Sequence, residues 1–329
     1  MDPDRPDPEH PPVVGELEPE ARPPARREPG YYQFKANAQN TWRAYQADLR
    51  HFTAWGGQLP AHPDLVARYL SEHAESLAPT TLEHRLAAVS IWHKHHGHPN
   101  PTEDGRVRRV MQGIRRSAVE QGWQPREAPA MTAEDLVAIV DAMGDSLRDA
   151  RDRALILTGL LAAFRENELS KLHRSQLHFQ DEGVVLRRRH SKTNQKGNLE
   201  LKAIPRGQGP YCAVAALETW LRRAGIDDGP VFRRIRKNDR IGDRPLSHTA
   251  VNQLLKRRGL AAGLPHASRL SGHSLRAGFS TLAARGGDPG WKIRLQTGHR
   301  DDRMLQRYIR VATLFEDNPA ATVLATLNR

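Results

Sequence analysis

His273-Ser274-Leu275-Arg276, then Thr297-Gly298-His299, then Arg307-Tyr308-Ile309-Arg310 follow one another near the end of this 329-residue chain. Two histidines, an arginine and a late tyrosine thus fall into one short stretch. His273 and Arg276 are one helical turn apart, so both side chains leave the helix on one side. Upstream, Phe164-Arg165-Glu166-Asn167-Glu168-Leu169 repeats that spacing with Arg165 and Glu168, and Ser191-Lys192-Thr193 offers a lysine in a polar loop.

These residue types suit attack on a phosphodiester. Its anionic oxygens repel nucleophiles, and two arginine forks on the non-bridging oxygens offset that repulsion. Arg165 and Arg276 are the candidate clamps, and Glu168 would orient the first. Tyr308 is the candidate nucleophile. A phenol titrates at about 10, so it needs a base or a cationic pocket at neutral pH. His273 would take its proton, Lys192 (or, second, Lys196) would protonate the leaving 5′-oxygen, and His299 would hydrogen-bond the phosphate. Taken singly, each has an ordinary alternative: surface arginine, helix-start or capping histidine, intrahelical ion pair, core tyrosine. Their order and company carry the reading.

The composition agrees. Net charge is +12 and hydrophobic content 38%. Residues 1–30 hold eight acids, four bases and nine prolines, a net of −4, so residues 31–329 carry +16. A body that basic favours a polyanion through counterion release, with DNA or RNA first in line and a merely solubilising surface as the bland alternative. The single cysteine, Cys212, excludes an internal disulfide and any multi-cysteine zinc site, and fits a reducing cytoplasm. No apolar run is long enough for a membrane span, and residues 1–30 contain no apolar signal core. A nucleotide phosphate loop and a dinucleotide fingerprint are both missing, so no cofactor is expected. Trp92-His93-Lys94-His95-His96-Gly97-His98 lacks the i, i+4 ligand pattern and an acidic partner. It reads as a solvated helix end, and no metal site is expected.

Periodicity predicts four blocks. Residues 1–30 are too poor in apolar side chains to fold and read as a disordered acidic tail. Residues 31–122 read as a helical domain. Trp42, Tyr45, Leu49 and Phe52 share a face, Thr80 and Glu83 suggest a capping box ahead of Leu82, Leu86 and Val89, and a further helix buries Val107, Val110, Met111 and Ile114. That last helix shows Arg106, Arg108, Arg109, Arg115 and Arg116 on its other face, the candidate phosphate contacts. Residues 123–131 look like a linker, with two prolines beside Gly122 breaking the pattern. Residues 132–329 read as mainly α with a small β-sheet. Thr132 caps a helix, another ends near Arg165, and strands follow at Leu177–Phe179, Val184–Arg187 and Leu199–Ile204. Helices return at Ala213–Arg223, Thr249–Arg258, Ser274–Ala284 and Asp301–Ile309, with Gly259 and Gly286 as C-caps. Asn318-Pro319 opens a last short helix carrying Val323, Leu324 and Leu327.

The ordered set Arg165 with Glu168, Lys192, His273-x-x-Arg276, His299 and Tyr308 resembles the catalytic domain of the tyrosine recombinase (phage integrase) family, over residues 132–310. The surroundings of Tyr308 and the Ser191-Lys192-Thr193 tripeptide look most like its Cre-type branch. The family often has glycine or leucine shortly before the first arginine, where this chain has Ala163-Phe164. The resemblance implies a C-shaped two-domain clamp on double-stranded DNA, with residues 31–122 as the core-binding domain. It implies a 3′-phosphotyrosine and a Holliday junction, reached without ATP or metal by a homo-tetramer on two sites, with the last helix docking onto a neighbouring protomer. A cytoplasmic, nucleoid-associated enzyme follows, with or without accessory proteins. Two alternatives share the motifs: a type IB topoisomerase or telomere resolvase with the same chemistry, and a catalytically silent DNA-binding regulator.

Overall fold

The computed structural model describes residues 39–125, 127–188, 200–298, 306 and 318–327. The tail expected over residues 1–30 and, but for residue 306, the helix expected at 301–309 lie outside the described residues. The chain divides into two compact units between residues 126 and 127.

The first unit contains α1 (Gln39–Ala54), α2 (Pro63–His73), α3 (Pro79–His95) and α4 (Gly105–Glu120). α1 packs on α3 and α2 on α4. Phe52, Val66, Leu70, Leu82 and Val107 lie wholly inside, with Tyr69, Val89 and Met111 beside them. The expected capping box at Thr80 is not formed. Ala78 is the N-cap, without a side-chain hydrogen bond, and Pro79 takes the first turn. Proline presets the helical φ there and has no N–H to satisfy, so the start moves ahead of Thr80. In the histidine-rich segment, the ring of His93 is buried between the N–H of Ala61 (2.8 Å) and the carbonyl of Val89 (2.8 Å). Trp92 stacks on His96, ring centroids 4.2 Å apart.

The second unit begins with α5 (Ala133–Asp141), capped by Thr132 and Asp135 in a full capping box, and α6 (Leu147–Leu161). α7 (Glu166–Ser170) leads into an antiparallel sheet of β1 (Leu177–Gln180), β2 (Gly183–Arg188) and β3 (Glu200–Pro205), in that order. Val184 pairs with Ile204 and Leu186 with Lys202. Next come α8 (Ala213–Ala224), the hairpin β4 (Arg233–Ile235) with β5 (Ile241–Pro245), then α9 (His248–Ala261), α10 (Gly272–Arg285), α11 (Gly290–Thr297) and α12 (Pro319–Leu327).

α6 is buried on nearly every side and packs against α8 and α10. Its second half, from Ala154 to Leu160, is buried on all sides and forms the axis of the core, while the buried Arg151 and Asp152 of its charged first half pair with each other (2.7 Å). Trp220 of α8 is fully buried and donates its indole N–H to the carbonyl of Val231 (2.8 Å). Residues 127–131 belong to this unit. Met131 is fully buried, and its N–H reaches the carbonyl of Ser274 (2.9 Å).

Of the two glycines expected as C-caps, Gly286 takes that place and Gly259 does not. Gly259 sits inside α9 against Leu270 and Ala267, where a Cβ would stand 2.6 Å from Leu270. It is there for close packing, and the left-handed turn falls to Gly263 (φ 73°). Gly286 caps α10 with ordinary right-handed backbone, and Gly287 takes the left-handed place (φ 82°).

Candidate active site

The site is built where α6 ends. A helix end leaves carbonyls without intrahelical partners, and here side chains from three other elements meet them. Gln296 of α11 donates to Leu161 (2.8 Å), Lys202 of β3 to Ala162 (2.9 Å), and Arg276 of α10 to Ala163 (2.8 Å). The chain then turns sharply. Ala163 has φ 48°, left-handed backbone that a non-glycine residue adopts at a cost. This turn swings Arg165 away from the α6 axis to become the N-cap of α7.

Arg165 and Glu168 interlock. One carboxylate oxygen accepts from the guanidinium of Arg165 (3.0 Å), the other from its backbone N–H (3.1 Å). The other end of the fork is directed at the carbonyl of Gly298 (3.4 Å). Arg276, wholly buried, donates from one nitrogen to Ala163 and to the carbonyl of Thr297 (2.5 Å). The two arginines therefore meet at successive peptide groups, Thr297 and Gly298, just ahead of His299. Gly298 is the left-handed C-cap of α11 (φ 66°), and that turn ends the helix at this point.

α10 can come this close because it starts with glycine. A Cβ on Gly272 would lie 2.5 Å from that of Glu166, and one on Gly278 would lie 2.5 Å from the carbonyl of Met131. His273 stands on the first turn of α10 and reaches the surface. Surrounding protein, then the nearby Arg276 cation, lower its pKa, although Glu127 and Glu166 pull the other way. At neutral pH the imidazole is thus held neutral and can accept a proton.

Two basic residues in this region were not among the expected ones. Arg188, at the end of β2, is buried with an ion pair to Glu168 (3.1 Å) and its guanidinium over the ring of Phe164 (5.3 Å). Lys202 is also buried, its ammonium 5.2 Å from the same ring. Burial lowers its pKa to about 8, against the pull of Glu168 and Glu200. For Glu168 burial acts upward, but Arg188 first, then Arg165 and Lys202, hold the carboxyl below its usual range. The signal available in the sequence was inward alternation. Val184, Leu186 and Arg188 share one face of β2, as do Lys202 and Ile204 on β3.

Lys192, Lys196, His299 and Tyr308 lie outside the described residues. Of the five α4 arginines, all exposed, three are engaged by carboxylates of their own unit: Arg106 by Asp64 and Asp104, Arg115 by Glu83 and Arg116 by Glu120. Arg108 and Arg109 form no ion pair among the described residues. The sequence reading also missed a strongly basic groove between the start of α6, the β4–β5 hairpin and α9. Arg148, Arg234, Arg236, Lys237, Arg244 and Arg257 line it, with Asp243 the one acid among the described residues of its lining. The run Arg233-Arg234-Ile235-Arg236-Lys237 was its visible trace.

A profile of the Phage integrase family matches residues 129–314. The chain is 36% identical over 294 residues to an integrase/recombinase described as an xerD homolog, from Selenomonas ruminantium, covering 86% of this chain and 85% of that one. It is 24% identical over 303 residues to recombinase cre of Escherichia phage P1, covering 84% and 85%. Among solved structures, the XerH site-specific recombinase bound to a palindromic difH substrate aligns with TM-score 0.60 at 14% identity, covering 88% of this chain and 80% of that one. A lambda integrase dimer on a core site aligns with TM-score 0.52 at 18% identity, covering 85% and 92%. These two likenesses speak for the fold, mainly helical with small antiparallel sheets. The family match spans more than half of the chain, and the 36% relative covers most of both proteins. The chain belongs to the phage integrase family, the site-specific tyrosine recombinases.

Proposed function

We propose that Tyr308 cleaves double-stranded DNA at a specific site and holds it as a 3′-phosphotyrosine until another strand is joined. The observation that carries this reading is the convergence of Arg165 and Arg276 on the Gly298 and Thr297 carbonyls, next to His299. In the cleavage step the Tyr308 oxygen bonds to phosphorus and the bond from phosphorus to the 5′-oxygen breaks. The phenolic proton goes to His273, and Lys192 (or Lys196) protonates the 5′-oxygen. Arg165, Arg276 and His299 hold the non-bridging oxygens as charge builds on them. The phosphotyrosine keeps the bond energy, so a second 5′-hydroxyl reverses the step without ATP.

The exposed groove of Arg148, Arg234, Arg236, Lys237, Arg244 and Arg257 supports a duplex partner, since guanidinium forks suit backbone phosphates. On α4, Arg108 and Arg109 have no carboxylate partner among the described residues and suit such contacts, with residues 31–122 as the core-binding domain and 132–329 as the catalytic one. The xerD homolog and cre are recombinases by name, which supports strand exchange between two sites through a Holliday junction by four copies. α12 presents Val323, Leu324 and Leu327 to solvent, an apolar edge suited to a neighbouring protomer. Among the described residues no helix is long and apolar enough to cross a membrane.

The test uses labelled fragments from the protein's own replicon. A covalent adduct at one bound site supports the reading. Relaxation of arbitrary supercoiled plasmid would replace it with a topoisomerase, and specific binding without any adduct on cleavable suicide DNA with a regulator.

A further inference from the structure

We propose that Arg188 is a positioning residue for strand cleavage, holding one oxygen of Glu168 so that the other is committed to the Arg165 guanidinium. The inference deepens the reading above and rests on it. β2 turns Val184, Leu186 and Arg188 to the core, and the first two are apolar. An apolar residue at 188 would satisfy the core at less cost, because burying a charge is expensive even when it is paired. The arginine is therefore at odds with packing, and what it touches accounts for it. Its Nη1 lies 3.1 Å from Oε2 of Glu168, the oxygen that also accepts the Arg165 backbone N–H, while Oε1 faces the Arg165 side chain at 3.0 Å. The ring of Phe164 lies under the Arg188 guanidinium and fixes its height. Both oxygens are thus engaged, which favours one orientation of the carboxylate and of the Arg165 guanidinium paired with it.

Among the described residues, the charged groups acting on Glu168 are Arg188 from β2, Arg165 from its own segment and Lys202 from β3. Without Arg188 the strongest of the groups opposing burial is lost, and the carboxyl titrates higher. It then protonates closer to neutral pH and stops orienting Arg165. The loss of cleavage should be greatest on the acid side and recover as pH rises, a pattern that a general packing defect does not produce.

The experiment is single-turnover formation of the covalent adduct at saturating DNA, across pH, with Arg188→Met, Arg188→Lys, Glu168→Gln and the Glu168→Gln/Arg188→Met pair. Arg188→Met should slow adduct formation about tenfold or more near neutral pH, keep DNA affinity within about twofold and shift the acid limb upward. Arg188→Lys should recover part of the rate. In the Glu168→Gln background Arg188→Met should add less than about a twofold loss. That comparison also decides the matter if the single Met variant does not fold, since the pair removes both members of the Arg188–Glu168 ion pair together. Parental rate and pH profile in Arg188→Met, or an undiminished Arg188→Met loss in the Glu168→Gln background, would overturn the proposal while the parent still forms its adduct. No adduct from the parent would remove the underlying reading, and this inference with it.

Discussion

The guanidinium of Arg276 is hydrogen-bonded to the carbonyl of Ala163 at 2.8 Å, joining α10 to the turn that launches Arg165. The second arginine thus holds the backbone that aims the first. Ala163 is fully buried and left-handed, φ 48°, so the turn is conformationally costly and is maintained by its surroundings.

Replacement at Ala163 should therefore follow backbone preference more than size. Ala163→Gly should leave stability unchanged or raise it by up to about 1 kcal/mol, while Ala163→Val should lower it by about 1–3 kcal/mol or more. Urea unfolding at neutral pH reads the difference. A stable Val variant and a destabilised Gly variant would contradict the strain.

Removing Glu168 should cost more than removing its ion pair. Glu168→Ala leaves Arg188 buried without its carboxylate, for which a loss of about 3–5 kcal/mol is expected. Glu168→Ala/Arg188→Met should regain part of that. Denaturant midpoints test the order, and a double variant weaker than the single would refute it.

Lys202 sets an alkaline signature. Its folded pKa is about 8 against an ordinary 10.5. Below about 8 folded and unfolded chains both hold the proton. Between the two values only the unfolded chain does, so this group raises stability as pH climbs through the window. Lys202→Met lacks that rise. The stability gap between parent and Lys202→Met should therefore shift in the parent's favour from about pH 7 to about pH 9.5. A gap independent of pH would show that Lys202 is not depressed.

The basic groove predicts a salt effect. Arg236→Gln with Lys237→Gln should weaken DNA binding and reduce the slope of log affinity against log salt by about 0.9 for each DNA phosphate that the variant no longer neutralises. An unchanged slope would place the duplex elsewhere.

Much of this site is local in sequence, and that part was legible. The three-residue spacing of His273 with Arg276 is a single helical turn, that of Arg165 with Glu168 runs from the N-cap to the third residue of α7, and the three strands of the main sheet show in their apolar residues. The remainder depends on partners far along the chain. Nothing near Arg276 announces that its fork will meet the carbonyls of Ala163 and Thr297. The expected strand stops at Arg187, one residue short of Arg188, whose counter-charge, Glu168, comes from another element. Hairpin β4–β5 stayed hidden since its arginine-rich strands offer little apolar alternation beyond Ile235. Thr80 shows the converse error, a capping pattern overridden by its neighbour Pro79.

The most direct measurement is the identity of the residue joined to DNA. A suicide substrate carrying the protein's own site would be cleaved, and the trapped adduct digested with trypsin and the DNA-linked peptide sequenced. The account predicts a link at Tyr308, in the peptide Tyr308-Ile309-Arg310 that follows Arg307. It also predicts no adduct from Tyr308→Phe, which should still bind the site. A link to any other residue, or a Tyr308→Phe protein that still cleaves, would contradict it.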